Sequence, residues 1–142
     1  YDIAFIDGLH EEFQVLRDIL NCLNYVNKVI VLHDCNPPNL QHESLNLCGT
    51  VWRAMYRIVQ AYPRSFVLDM DYGCGVIIVP DYDELGTRKN RRRELEVWAN
   101  LVGTIKEWID SEQADPSISY KTLEADRSII RLTNTEDLEE VL

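Results

Sequence analysis

The chain has 142 residues, 46% hydrophobic and 27% charged, with 14 basic residues against 24 acidic ones and a formal net charge of −10. This balance excludes a disordered chain and describes one globular domain, able to bury about two thirds of its unfolded surface. The acidic excess argues against nucleic acid or an anionic membrane as partner. No apolar run is long enough to span a bilayer and no signal-peptide pattern opens the chain.

Tyr1 to Ile6 reads as a buried strand, rich in Tyr, Ile and Phe. Glu11 to Val26 is predicted helical, because Phe13, Leu16, Ile19, Leu20, Leu23 and Val26 recur at three and four residues. Lys28 to His33 is a second strand whose unbroken Val/Ile/Leu run suits a parallel strand covered on both faces. Strand, helix, strand is a βαβ unit with a right-handed crossover. Asp34 to Cys48, with Pro37 and Pro38, is a polar loop long enough to suggest a functional role.

Thr50 to Tyr62 is a second helix, with Val51, Trp52, Met55, Val59 and Tyr62 on one side. Ser65 to Met70 and Cys74 to Val79 are strands joined by the tight turn Asp71-Tyr72-Gly73, and Pro80 ends the hairpin. A basic run from Thr87 to Arg93 reads as solvated surface, and Glu94 to Asp110 as a helix. Ser117 to Tyr120 and Ser128 to Leu132 are read as short strands, with a short helix toward Leu142. The expected architecture is α/β: residues 1–80 form a half of a doubly wound sheet, and residues 81–142 a helical extension packed on it. The expected strand order is first, second, fourth, third. The first strand then presents an open edge, to be covered by a second copy of the chain in a homodimer or by the C-terminal segment. Cys22, Cys35, Cys48 and Cys74 contain no CxxC pair, which disfavours a structural zinc site and reads as free thiols in a reducing, cytoplasmic setting.

In open parallel sheets ligands bind beyond the carboxyl ends of the strands. Asp7 ends the first strand and His33-Asp34 end the second, and neighbouring strands lie about 4.8 Å apart, so the two carboxylates can converge. Such a pair suits a hard cation such as Mg²⁺. His10, placed by this reading in the first helical turn, is kept neutral by the positive helix end and is the candidate general base. Capping is the competing role for Asp7, and a solvated or capping position the competing role for His10. His33 is read as structural or as a residue supporting the site's ligands from behind, its side chain pointing opposite to that of Asp34. Asp69 and Asp71 lie on the same sheet edge, either as solvated turn residues or as substrate contacts.

The segments FIDGLHEEFQVLRDI, VIVLHDCNP, CGTVWRA and DMDYGCGVIIV together resemble the distal half of class I S-adenosylmethionine-dependent methyltransferases. The nearest branch includes the metal-dependent macrolide-sugar O-methyltransferases, and the resemblance covers Tyr1 to about Pro80. It implies a Rossmann-like fold and methyl transfer from S-adenosylmethionine to the hydroxyl of a small molecule, assisted by Mg²⁺. It also implies that Asp7 and Asp34 are metal ligands and His10 the general base. Asn36, from its place in the loop after the second strand, and Asp71, from its place at the sheet edge, are candidate substrate contacts. No G-x-G-x-G turn occurs, so the chain is expected to be a fragment lacking the N-terminal cofactor-binding half and to hold neither cofactor tightly alone. A non-catalytic association module and a metal-dependent hydrolase are the alternatives.

Overall fold

The computed structural model describes the backbone of residues 1–80 and 88–141 and the side chains of residues 1–80 and 92–140. Strand β1 (Ile3–Ile6) leads through helix α1 (Glu12–Leu23) to β2 (Val29–Leu32). A single 3₁₀ turn (Leu40–Glu43) interrupts the following loop before α2 (Val51–Ala61). The hairpin β3 (Ser65–Leu68) and β4 (Cys74–Ile78) comes next, then the long helix α3 (Arg88–Ser111). The chain ends with α4 (Tyr120–Ala125), a 3₁₀ turn, β5 (Leu132–Thr133) and α5 (Leu138–Val141). Among the described residues the strands form one open mixed sheet in the order β1-β2-β4-β3-β5. β1 and β2 are parallel, β4 runs antiparallel to both β2 and β3, and β5 is parallel to β3.

Alternation along the strands decides which residues enter the core. Ile30, Leu32, Val67 and Ile77 are fully buried in one cluster with Leu16 and Ile19 of α1 and Trp52, Met55 and Ile58 of α2. Leu101 and Ile105 of α3 join the same cluster, and Trp98 packs edge-on against Tyr62 with ring centroids 5.3 Å apart. On the opposite face, Ile3 and Phe5 remain 63% and 61% exposed. None of the described helices is long and apolar enough to cross a membrane.

The C-terminal third departs from the sequence expectation in detail. Helix α3 begins at Arg88 rather than at Glu94, since the Arg/Lys run consists of good helix formers. Arg92 and Arg93 of that run are exposed, whereas Thr87 lies outside the described residues. Ser117 to Tyr120 is not a strand. The Asp115 carboxylate accepts from Ser117 N at 2.9 Å, and Ser119 starts α4 by donating its N–H to Thr122 Oγ1 at 3.2 Å. Likewise Asp126 accepts from Ser128 N at 3.0 Å, so residues 127–130 turn into a 3₁₀ segment that buries Ile130 completely. Local side-chain-to-backbone bonds outcompete β-propensity in both places. The loop after β2 is polar in its middle, but its ends, Cys35 and Cys48, are buried.

The C-terminal segment does not cover β1. It adds β5 to the other side of the sheet, and among the described residues β1 pairs with β2 alone, with its outer edge open.

Charge inside the helical layer is concentrated at one pair. The Glu12 carboxylate, 7% exposed, receives Arg57 Nε at 2.6 Å, while Arg57 Nη2 donates to the Gln113 carbonyl at 2.7 Å. The guanidinium also lies 5.5 Å from the Phe13 and Trp108 ring centres, so it ties α1, α2 and α3 together. Breaking a buried pair strands the remaining charge. Glu12→Ala is expected to lower stability by about 3 kcal/mol, read as a lower urea midpoint at unchanged slope.

Candidate functional site

Two loops leave the sheet on the same side, one after β1 and one after β2. The first, Asp7-Gly8-Leu9-His10, runs to α1, whose N-cap is Glu11: its carboxylate accepts from Phe13 N at 3.1 Å and Gln14 N at 2.8 Å. Asp7 is therefore not the cap, and its carboxylate, 46% exposed, is available for other work. The helix begins at Glu12, so His10 stands ahead of the cap rather than inside the first turn. Its surroundings are set by the loop before α2. His10 Nδ1 is hydrogen-bonded to the Leu47 carbonyl, and the His10 carbonyl accepts from Thr50 N at 2.9 Å. With Nδ1–H donating to a carbonyl, the neutral ring presents its Nε2 lone pair on the opposite side. That Nε2 is 3.3 Å from Asp7 Oδ1 and 3.3 Å from Asp34 Oδ2.

The second loop starts with an unusual backbone. Asp34 has φ +62°, in the left-handed region that aspartate tolerates better than most residues. This single residue breaks the alternation of β2. His33 consequently does not point away from Asp34: its Nδ1 lies 3.1 Å from Asp34 Oδ2 and 3.8 Å from Asp7 Oδ1, and its Nε2 lies 3.0 Å from Asp71 Oδ2. Burial pulls the His33 imidazole down, but the hydrogen bonds from Asp71 and Asp34 and the charges of Asp34 and Asp7 outweigh it and leave its pKa raised.

The structure thus brings together Asp7, His10 and Asp34, whose ligand atoms all lie within 4.8 Å of one another, and adds His33 with Asp71 behind it. Asn36 sits one step away. Its N–H donates to the Tyr72 carbonyl at 2.6 Å, its Nδ2 to Asp69 at 3.4 Å, and its Oδ1 accepts from Arg127. Neither His33 nor the Leu47 carbonyl was legible as a member of this cluster in the sequence. The readable signal for His33 was an Asp at the end of a strand, a residue type prone to left-handed backbone.

Sulfur surrounds the site without entering it as thiolate. The Cys48 thiol is pushed up to about 12 by burial and by the neighbouring Asp34, and burial raises Cys35 further still, so both remain protonated at neutral pH. All four cysteines are free. The donor set is oxygen and imidazole nitrogen, which could hold a divalent cation between Asp7 and Asp34. A groove of about 380 Å³ opens beside Asp7, lined by Phe5, Ile6, Gly8, Asp18, Asn21 and Cys22 along the open side of β1.

No protein-family model, no curated protein and no solved structure matches this chain.

Gly49 holds His10 in place by close approach. It has φ +59°, and a Cβ there would lie 2.0 Å from the His10 carbonyl oxygen. Gly49→Ala is expected to cost about 1–3 kcal/mol and to move His10. The check is a lowered melting temperature together with a shifted His10 ring resonance by NMR; Gly103→Ala, inside α3 where a Cβ meets nothing within 4 Å, is the control that leaves the His10 resonance in place and raises stability slightly.

Proposed function

We propose that the chain is the acceptor-side part of an S-adenosylmethionine-dependent O-methyltransferase with a Rossmann-like sheet. One observation carries the reading: Asp7 Oδ1, His10 Nε2 and Asp34 Oδ2 converge beyond the carboxyl ends of two adjacent parallel strands. The βαβ unit followed by a hairpin-returned antiparallel strand supports it, as do the four sequence segments that resemble this methyltransferase group.

Asp7 and Asp34 are the residues to hold a divalent cation, Mg²⁺ on the carboxylate pair alone. Such an ion, when bound, lowers the pKa of an acceptor hydroxyl. The chain's own contribution is to place and deprotonate the acceptor. His10 takes the proton at Nε2, because the Leu47 carbonyl occupies Nδ1. Asp71 and Asn36 border the acceptor from the hairpin side. The acceptor is a small molecule rather than a nucleic acid, in keeping with the net charge of −10. The free thiols suit a reducing compartment such as the cytoplasm. The sequence has no G-x-G-x-G turn, so S-adenosylmethionine is assigned no contact with these residues.

Titration calorimetry with Mg²⁺ and Mn²⁺ tests the site. Binding is expected in the parent chain and is lost in Asp34→Asn, with the far-UV circular dichroism unchanged. Equal binding by Asp34→Asn would sink the reading. In an intact protein that also carries the cofactor-binding half, His10→Ala is expected to lower kcat for methyl transfer to a hydroxyl acceptor about 10²–10⁴-fold.

A second reading, a non-catalytic association module, is favoured by the open β1 edge with Ile3 and Phe5 exposed. It requires pairing of two copies through that edge. Sedimentation should then show a dimer that Ile3→Lys dissociates, and a monomer at all concentrations rejects it.

A further inference from the structure

The cluster contains one imidazole more than the cation site described above uses. Granted an ion between Asp7 and Asp34, on which the assignment rests, we propose that His33 is a ligand of that ion. Asp71 orients it, and the mixed site selects a first-row transition ion over Mg²⁺.

The geometry fits a common centre. Ligand atoms about 2.1 Å from one ion lie about 3.0 Å apart at right angles and about 3.4 Å apart at tetrahedral angles. His33 Nδ1 is 3.1 Å from Asp34 Oδ2, within the range of neighbouring ligands, and 3.8 Å from Asp7 Oδ1, a little beyond it; an ion would displace the proton that Nδ1 shares with Asp34 without one. His10 Nε2 lies 3.3 Å from each of the same two oxygens, so the two rings flank one carboxylate pair.

The outer contacts point the same way. Metal-binding histidines donate their second ring nitrogen to a carboxylate or a carbonyl, which fixes the tautomer and aims the lone pair. His33 Nε2 meets Asp71 Oδ2 at 3.0 Å. Asp71 is able to reach it because the hairpin turn is wound left-handed at Asp71 and Tyr72, with φ of +46° and +61°. The chain's remaining histidine, His42, is engaged elsewhere, with Nδ1 on Asn39 and its ring stacked on Tyr72.

Imidazole ligands shift a site's preference. Carboxylates and water suit Mg²⁺, whereas nitrogen donors favour Fe²⁺, Co²⁺, Ni²⁺ and Zn²⁺, with Mn²⁺ binding either kind. Asp7, Asp34 and His33 supply two oxygens and a nitrogen, leaving His10 as base or as a second nitrogen ligand.

Manganese(II) bound to the full chain, free of any histidine tag, is the probe, and pulsed EPR reads the ¹⁴N couplings of bound imidazole. The expected result is an imidazole coupling that survives in His10→Gln, is lost or halved in His33→Gln, and is unchanged in His42→Gln. Competition should favour Co²⁺ over Mg²⁺ by about 100-fold or more in the parent, and His33→Gln should cut that preference at least tenfold. Asp71→Asn should weaken Mn²⁺ about tenfold without changing the nitrogen count, as loss of an orienting group does. If His33→Gln fails to fold, the coupling in the double variant His10→Gln/His42→Gln decides, since only His33 can then provide it. Mn²⁺ that binds with no imidazole coupling, or with one carried by His10 alone, overturns the assignment to His33 and leaves the cation site standing. A chain that binds no divalent ion overturns both.

Discussion

The left-handed backbone at Asp34 is the constraint on which the site depends. At φ +62° a non-glycine residue costs on the order of 1 kcal/mol or more, so its surroundings must hold it there. They do so from both sides. Immediately after the kink, Cys35 N donates to the Gly73 carbonyl at 2.9 Å and Asn36 N to the Tyr72 carbonyl at 2.6 Å, so the chain resumes pairing with the hairpin turn. Cys35 is driven into the core beneath Gly75, where a Cβ would come within 2.8 Å of its sulfur. With the residues before and after fixed, His33 and Asp34 have little choice but to share one side of the sheet edge.

The other half of the cluster is held by a separate device that reaches the same place. Thr50 joins the entry of α2 to the entry of α1, donating its N–H to the His10 carbonyl and accepting from Glu12 N at 2.8 Å. The helices are in turn locked by the Glu12–Arg57 pair and by the apolar cluster around Leu16, Ile19, Trp52 and Ile58. Core packing therefore sets the height of His10 above the sheet, and the hairpin sets the orientation of His33. The parallel register of β1 and β2 pairs Ile6 with Leu32 and so sets Asp7 beside His33, and the left-handed turn at Asp34 brings its carboxylate to the same place.

Periodicity was enough to read the sheet half of the fold. The helices and strands through Ile78 lie within a few residues of their expected bounds, and the order β1-β2-β4-β3 follows from one crossover and one hairpin. That Asp7 and Asp34 share one end of the sheet was legible for the same reason, because it needs strand ends alone, whereas the left-handed turn that brings the Asp34 carboxylate to Asp7 was not. What was not legible depended on single backbone angles or on contacts distant in sequence. His33 was misdirected because strand alternation was carried one residue too far, through Asp34. The strands expected at Ser117 and Ser128 failed where Asp115 and Asp126 captured the following N–H groups. The hold of Leu47 on His10 spans a loop whose path no local pattern specifies.

The two carboxylates of the cluster differ in how much water they keep, and that difference bears on its chemistry. The Asp34 side chain is 10% exposed and Asp7 46% exposed, because Asp34 is walled in by Cys48 and the hairpin while Asp7 borders the open side of β1. Electrostatic interactions weaken as the local dielectric rises, so a charge held at Asp7 is screened more than one held at Asp34. The groove beside Asp7 lies between the end of β1 and α1, bordered by Phe5, Asp18 and Asn21, so the carboxylate that keeps more water is also the one next to open space.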